Sequence, residues 1–145
     1  MFDVFVADLR CPNCGSMASV NDNTGMQTHI RVDADGSALP VGYELDPFDL
    51  RTDKIVGNGY SIVNTPEPGK PVRLLDIWTC PTCQTEQWAM ITIDQNRIQL
   101  VEAVKLDRAS LNAVNFISDV NAEIVSERFD PSGGSVIDTL RRHLP

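Results

Sequence analysis

Two short stretches constrain this chain more than anything else in it: Cys11-Pro12-Asn13-Cys14, followed by Gly15, and Cys80-Pro81-Thr82-Cys83. Between them they hold all four cysteines. A C-x-x-C pair turns two sulfurs inward on one tight loop, and two such loops facing each other supply the four thiolates of a tetrahedral metal site. Each proline presets φ just after the first ligand and so favours the turn. Gly15 stands where a positive φ would let the chain curl beneath the sulfurs, whereas the second loop has Gln84 there. The expected ligands are therefore Cys11, Cys14, Cys80 and Cys83, with Zn²⁺ in a closed structural site and Fe as the alternative ion.

The remaining composition narrows what such a site can serve. A chain of 145 residues with 42% hydrophobic content fits one domain, or a small domain with a tail. The net charge of −8 weighs against nucleic acid as a partner, because phosphate binding draws on clustered Lys and Arg. The acidity is uneven: residues 1–104 carry 14 acidic and 7 basic side chains, residues 105–145 carry 6 and 5. No apolar stretch approaches the roughly 20 residues a bilayer span requires. The first eight residues lack a basic leader followed by an apolar run, so they do not read as a signal peptide. The expected compartment is the cytoplasm, where reduced thiols bind metal more often than they pair.

Along the chain, residues 2–10 read as a strand entering the first loop, with Ser16 to Val20 returning as its partner. Met26 to Val32 reads as another strand. The 65 residues between Cys14 and Cys80 are too many for a structureless connection. Their short apolar runs, at 41–45, 54–56 and 60–63, predict a small antiparallel β unit, with Gly57-Asn58-Gly59 as a hairpin turn. Val72 to Thr79 runs into the second loop, Glu86 to Ile93 leaves it, and Arg97 to Val104 returns as a third strand, with Ile98, Leu100, Glu102 and Val104 on one side. The period then changes: Ala113, Ile117, Val120 and Ile124 predict a helix from Asp107 or Ser110 to about Arg128, and Ser135 to His143 predicts a second. The fold class is α+β: a mainly antiparallel β body over 1–104, with 15–79 as a β-rich insertion between the loops, and a helical tail over 105–145.

The two cysteine loops resemble the knuckles of zinc-ribbon proteins, although the 65 residues between them exceed the spacing of most compact ribbons. The opening Phe2-Asp3, the Cys-Pro-x-Cys-Gly loop, Gln27-Thr28 and the second loop before a hairpin resemble small uncharacterised zinc-ribbon proteins of bacteria and their phages, over about residues 2–104. That resemblance implies a ribbon fold and no particular activity. The same Cys-Pro-x-Cys loops resemble rubredoxin, in which one iron among four sulfurs carries single electrons, but the second loop lacks the glycine and the separation is much longer.

No catalytic constellation emerges elsewhere. His29 and His143 are the only histidines, with His29 the first substitute should a cysteine not ligate, and neither lies in an H-x-E or H-E-x-x-H pattern. Trp78 and Trp88 flank the second loop, but only Arg10 and Arg73 stand nearby, against Asp8, Asp76 and Glu86, so both read as packing residues rather than base-stacking ones. Asp33, Asp35, Glu44, Asp46, Asp49 and Asp53 do not match a calcium loop. The resulting expectation is a non-enzymatic, zinc-binding structural or protein-interaction module, an accessory subunit of a larger assembly. It would meet a protein partner through 105–145 or the acidic insertion. Iron electron transfer is the alternative, and a nucleic-acid-binding ribbon the more distant one.

Overall fold

A computed structural model describes residues 1–145. Its backbone is a mixed five-stranded sheet of β6 (Tyr60–Ile62), β10 (Phe116–Ser118), β7 (Val72–Thr79), β8 (Glu86–Asp94) and β9 (Arg97–Val104), in that spatial order. Strands β7, β8 and β9 form an antiparallel meander. Gln95 and Asn96 both take positive φ, 50° and 65°, as a two-residue turn matching the twist of the strands requires. Glu86–Asp94 is buried almost throughout, because both faces of the sheet are covered.

Alternation along each strand sorts side chains to the two faces. Leu74, Trp78, Ala89, Ile91 and Phe116 go to one face, where they meet Phe5, Leu9, Met26, Ile30 and Leu39. Leu75, Trp88, Met90 and Ile117 go to the other, against Leu111, Ala122, Leu140 and Leu144. Those last four belong to the helical segment, which comprises α2 (Arg108–Ala113), α3 (Asp119–Phe129), α4 (Val136–His143) and the residue just after it. The first face is covered by a three-stranded sheet in which β1 (Asp3–Val6) lies between β4 (Gln27–Thr28), antiparallel, and β5 (Ala38–Pro40), parallel. A two-stranded hairpin of β2 (Leu9–Arg10) and β3 (Met17–Ala18) carries the first cysteine loop. Strand and helix together make the fold α+β.

Several expectations are corrected. Lys54–Val56 lies in a helix, α1 (Thr52–Gly57), rather than a strand: helical winding turns Ile55 into the first core, and β6 pairs with β10 alone. The insertion forms no β unit of its own: β4 and β5 join β1, and β6 joins β10. Residues 2–10 form two strands, and only Gln27–Thr28 of the 26–32 run is strand. Opposite Thr92 and Ile93 of β8, β9 carries one extra residue, Gln99, so Ile98 and Val101 share the first face while Leu100 is exposed; the extra residue inverts the alternation midway.

The long helix expected from 107 to 128 is also interrupted. Asp107 caps α2 with Ser110 in a reciprocal capping box, but Val114 is extended and residues 116–118 become β10. This strand fills the gap between β6 and β7, burying Phe116 on one face and Ile117 on the other, which a helix could not do. The helical stripe shifts accordingly: Ala122 and Ser126 point inward, while Val120 and Ile124 are 63% and 45% exposed. The tail's apolar side thus packs on the chain's own body.

One side chain secures the break. Asn64 donates from Nδ2 to the carbonyls of Leu111, Asn112 and Val114, at 3.1, 3.3 and 2.8 Å, satisfying groups that the end of α2 leaves open. Asn115 donates back to the Asn64 carbonyl, and Arg141 on α4 donates to the Val63 carbonyl at 2.6 Å and to Asn64 Oδ1 at 3.3 Å. Asn64→Ala leaves those carbonyls without their donor and is expected to cost about 2–3 kcal/mol, read as a lowered midpoint in chemical unfolding.

Two buried carboxylates hold the layers in opposite ways. Asp3 receives Arg31 through Nε at 2.7 Å and Nη2 at 2.9 Å, and the amides of Asp35 and Ser37. The guanidinium beside it holds its pKa below the usual carboxylate range. Asp76 has no cation. It accepts from Tyr60 Oη at 2.5 Å, and Tyr60, its single proton committed, accepts in turn from Thr28 at 2.7 Å. This chain links β7, β6 and β4. Burial pushes Asp76 up to about 7, from an ordinary value near 3.8. The folded state therefore binds this proton more tightly than the unfolded chain, and the stability Asp76 contributes is lost as pH rises from about 4 to about 7. Asp76→Asn keeps an acceptor for Tyr60 and removes that dependence. The stability difference, variant minus parent, is expected to grow between pH 5 and pH 8 in paired unfolding titrations.

Candidate metal centre

The two cysteine loops cap the ends of two hairpins, β2–β3 and β7–β8, and the fold brings those ends together. Their backbones superimpose in kind. In the first, the amide of Gly15 donates to the Cys11 carbonyl at 2.9 Å and that of Cys11 to Ser16 at 2.9 Å; in the second, Gln84 donates to Cys80 at 2.9 Å and Cys80 to Thr85 at 3.0 Å. Gly15 and Gln84 both take positive φ, 77° and 62°, so the glycine signal read in the first loop has a strained non-glycine equivalent in the second. Arg10 closes the first loop by donating to the Gly15 carbonyl at 2.8 Å, and the Thr79 amide ties the second to the Thr24 carbonyl at 2.8 Å.

All four predicted ligands converge. Cys11 and Cys83 sulfurs lie 3.7 Å apart, as do those of Cys14 and Cys80, and the four sulfurs all fall within 4.8 Å of one another. A tetrahedral ion with metal–sulfur bonds of about 2.3 Å requires sulfurs about 3.8 Å apart, so the donor set fits a four-coordinate soft cation. All four cysteines are free thiols rather than disulfides. Cys11 and Cys80 are buried at 1% exposure, Cys83 is half-buried and Cys14 is exposed. Neither histidine joins the cluster: His29 meets Phe2 edge-on, and His143 stacks on Phe129 at 5.3 Å.

Residues around the sulfurs prepare them for a cation. The Thr85 hydroxyl at 3.0 Å and then the Asn13 amide at 3.5 Å pull Cys83 down to about 5. Ser16, through its hydroxyl and then its amide, lowers Cys14. Cys80 moves the other way: the Cys83 amide holds it down, but burial and the sulfurs of Cys83 and Cys14 outweigh that. Four thiolates this close would repel one another, at about 4 kcal/mol per pair in a medium of effective dielectric 20, which protonation or a cation among them relieves.

The chain matches no family model, no curated protein and no solved structure. Its likeness to zinc-ribbon proteins accordingly rests on the two loops themselves. Thr85, Ser16 and Asn13 are functional neighbours that the sequence reading missed, although a signal was present. Both loops extend to Cys-Pro-x-Cys-x-Ser/Thr, with a hydroxyl two residues beyond the second cysteine. Trp78 and Trp88 pack on opposite faces of the large sheet, and the Trp78 indole donates to the Trp88 carbonyl at 3.1 Å. The largest cleft, about 470 Å³, lies over Tyr60 and Asp76 and includes no cysteine in its lining. No helix is long and apolar enough to cross a membrane.

A Cβ added at Gly15 would meet nothing within 4 Å, so the cost of Gly15→Ala is that of the left-handed backbone alone. It is expected to destabilise the metal-loaded protein by about 1 kcal/mol while leaving metal stoichiometry unchanged, since Gln84 already tolerates the same conformation. Elemental analysis beside thermal unfolding checks both halves.

Proposed function

We propose that the chain is a zinc-binding structural module without catalytic chemistry of its own, acting as an accessory, partner-binding component of a larger assembly. The observation that carries the metal reading is the convergence of four cysteine sulfurs within 4.8 Å of one another at the tips of two hairpins. Four protein sulfurs fill a tetrahedral coordination shell, so the ion has no open position for water or substrate. Its role is to clasp: β2, β3 and β4 are two residues long each and bury little by themselves. What supports partner binding is the outward side of α3. There Val120 and Ile124 remain exposed one turn apart, on a segment whose other side is already packed.

The test is reconstitution. The purified chain is expected to bind one zinc per molecule, to give a cobalt derivative with thiolate charge-transfer bands, and to unfold at a markedly lower temperature once a chelator removes the ion. Cys80→Ser is expected to abolish stoichiometric binding. A coloured protein with one iron and a reversible one-electron couple would instead establish the rubredoxin-like alternative.

A further inference from the structure

The two halves of the metal centre match in backbone but not in what surrounds their outer sulfurs. Cys83 is the guarded one. Thr85 Oγ1 lies 3.0 Å from its sulfur, and Gln87 Nε2 donates to that same hydroxyl oxygen at 2.8 Å. With an oxygen lone pair occupied by Gln87, the hydroxyl proton is free to point at the sulfur, so the Thr85 contact has a defined direction. Asn13 Nδ2, from the opposite loop, donates to Cys83 at 3.5 Å. Cys83 thus has two side-chain donors, one of them buttressed.

Cys14 has less. Ser16 is its one hydroxyl neighbour, and the position that corresponds to Gln87 is Ala18, which has nothing to orient that hydroxyl. The residue is exposed to solvent. Cys11 and Cys80, at 1% exposure, are out of reach. Hydrogen bonds to a metal-bound thiolate withdraw the lone-pair density an electrophile would attack, and outer-shell partners of this kind tune metal affinity by about 10–100-fold.

We infer that Cys14 is the reactive sulfur of the centre and its modification site, taking soft Michael acceptors of the α,β-unsaturated carbonyl class, while Asn13, Thr85 and Gln87 act as positioning residues that keep Cys83 on the metal. In the reaction the Cys14 sulfur gives up its metal bond and attacks the β-carbon. A carbon–sulfur bond forms, the carbon–carbon double bond becomes single, and the α-carbon takes a proton from water. No electron is gained or lost, and no group leaves. The resulting thioether is a poor zinc ligand, so the ion is released from a three-thiolate remnant.

This inference rests on the metal reading above, and its test separates the two. The full chain is loaded with one equivalent of zinc, treated with substoichiometric N-ethylmaleimide, and mapped by mass spectrometry while a chromophoric chelator reports released zinc. Label is expected first on Cys14, with zinc release tracking it. Thr85→Val and Asn13→Ala are each expected to bring label onto Cys83 and to weaken zinc binding by about 10-fold or more. Gln87→Ala, which leaves every direct sulfur contact in place, is expected to shift label the same way to a smaller extent and serves if the first two variants fold poorly. Label on Cys83 first, label spread evenly over the four sulfurs, or a distribution unmoved by all three variants overturns the proposal. A chain that takes up no zinc before the maleimide is added overturns the metal reading, and this inference with it.

Discussion

The structure turns on the meeting of two hairpin tips that are far apart in sequence. Cys14 and Cys80 are separated by 66 positions, yet their sulfurs lie 3.7 Å apart. Strands of two residues supply few ladder bonds, and a small β layer buries too little surface to hold its place alone. Thiolates at this spacing repel, so the four sulfurs would be ionised together only with a cation among them.

Around that junction the large sheet works as a partition. One face takes the small sheets and the cysteine loops, the other the helices, and only a strand apolar on both sides, such as Glu86–Asp94, can occupy its middle. The 105–145 segment crosses this partition. Phe116 and Ile117 belong to opposite cores, so the segment is built into the sheet rather than laid against it.

The polar groups inside show how neighbours decide the state of identical side chains. Asp3 and Asp76 are both buried, and both anchor one layer to another. A guanidinium stabilises the charge on the first; the second has a phenol and the Ile77 amide, which offer hydrogen bonds without a charge. Their responses to pH therefore have opposite sign.

Several features were determined locally. The four ligands follow from loop spacing, the meander 72–104 from alternation and turn chemistry, and α4 from the Ser135 cap and the basic last turn. These depend on interactions within a few residues. Tertiary structure decided the rest, because each outcome turned on a partner distant in the chain. Residues 116–118 left a helical pattern because β6 and β7 offered unpaired edges; 54–56 wound into a helix that buries Ile55 in the core shared with Phe5 and Leu74. Asn13 acquired its role only when the second loop arrived beside the first. Propensity ranks what a segment can do alone, but an unpaired strand edge or a buried carbonyl demands a partner, and that demand is the stronger.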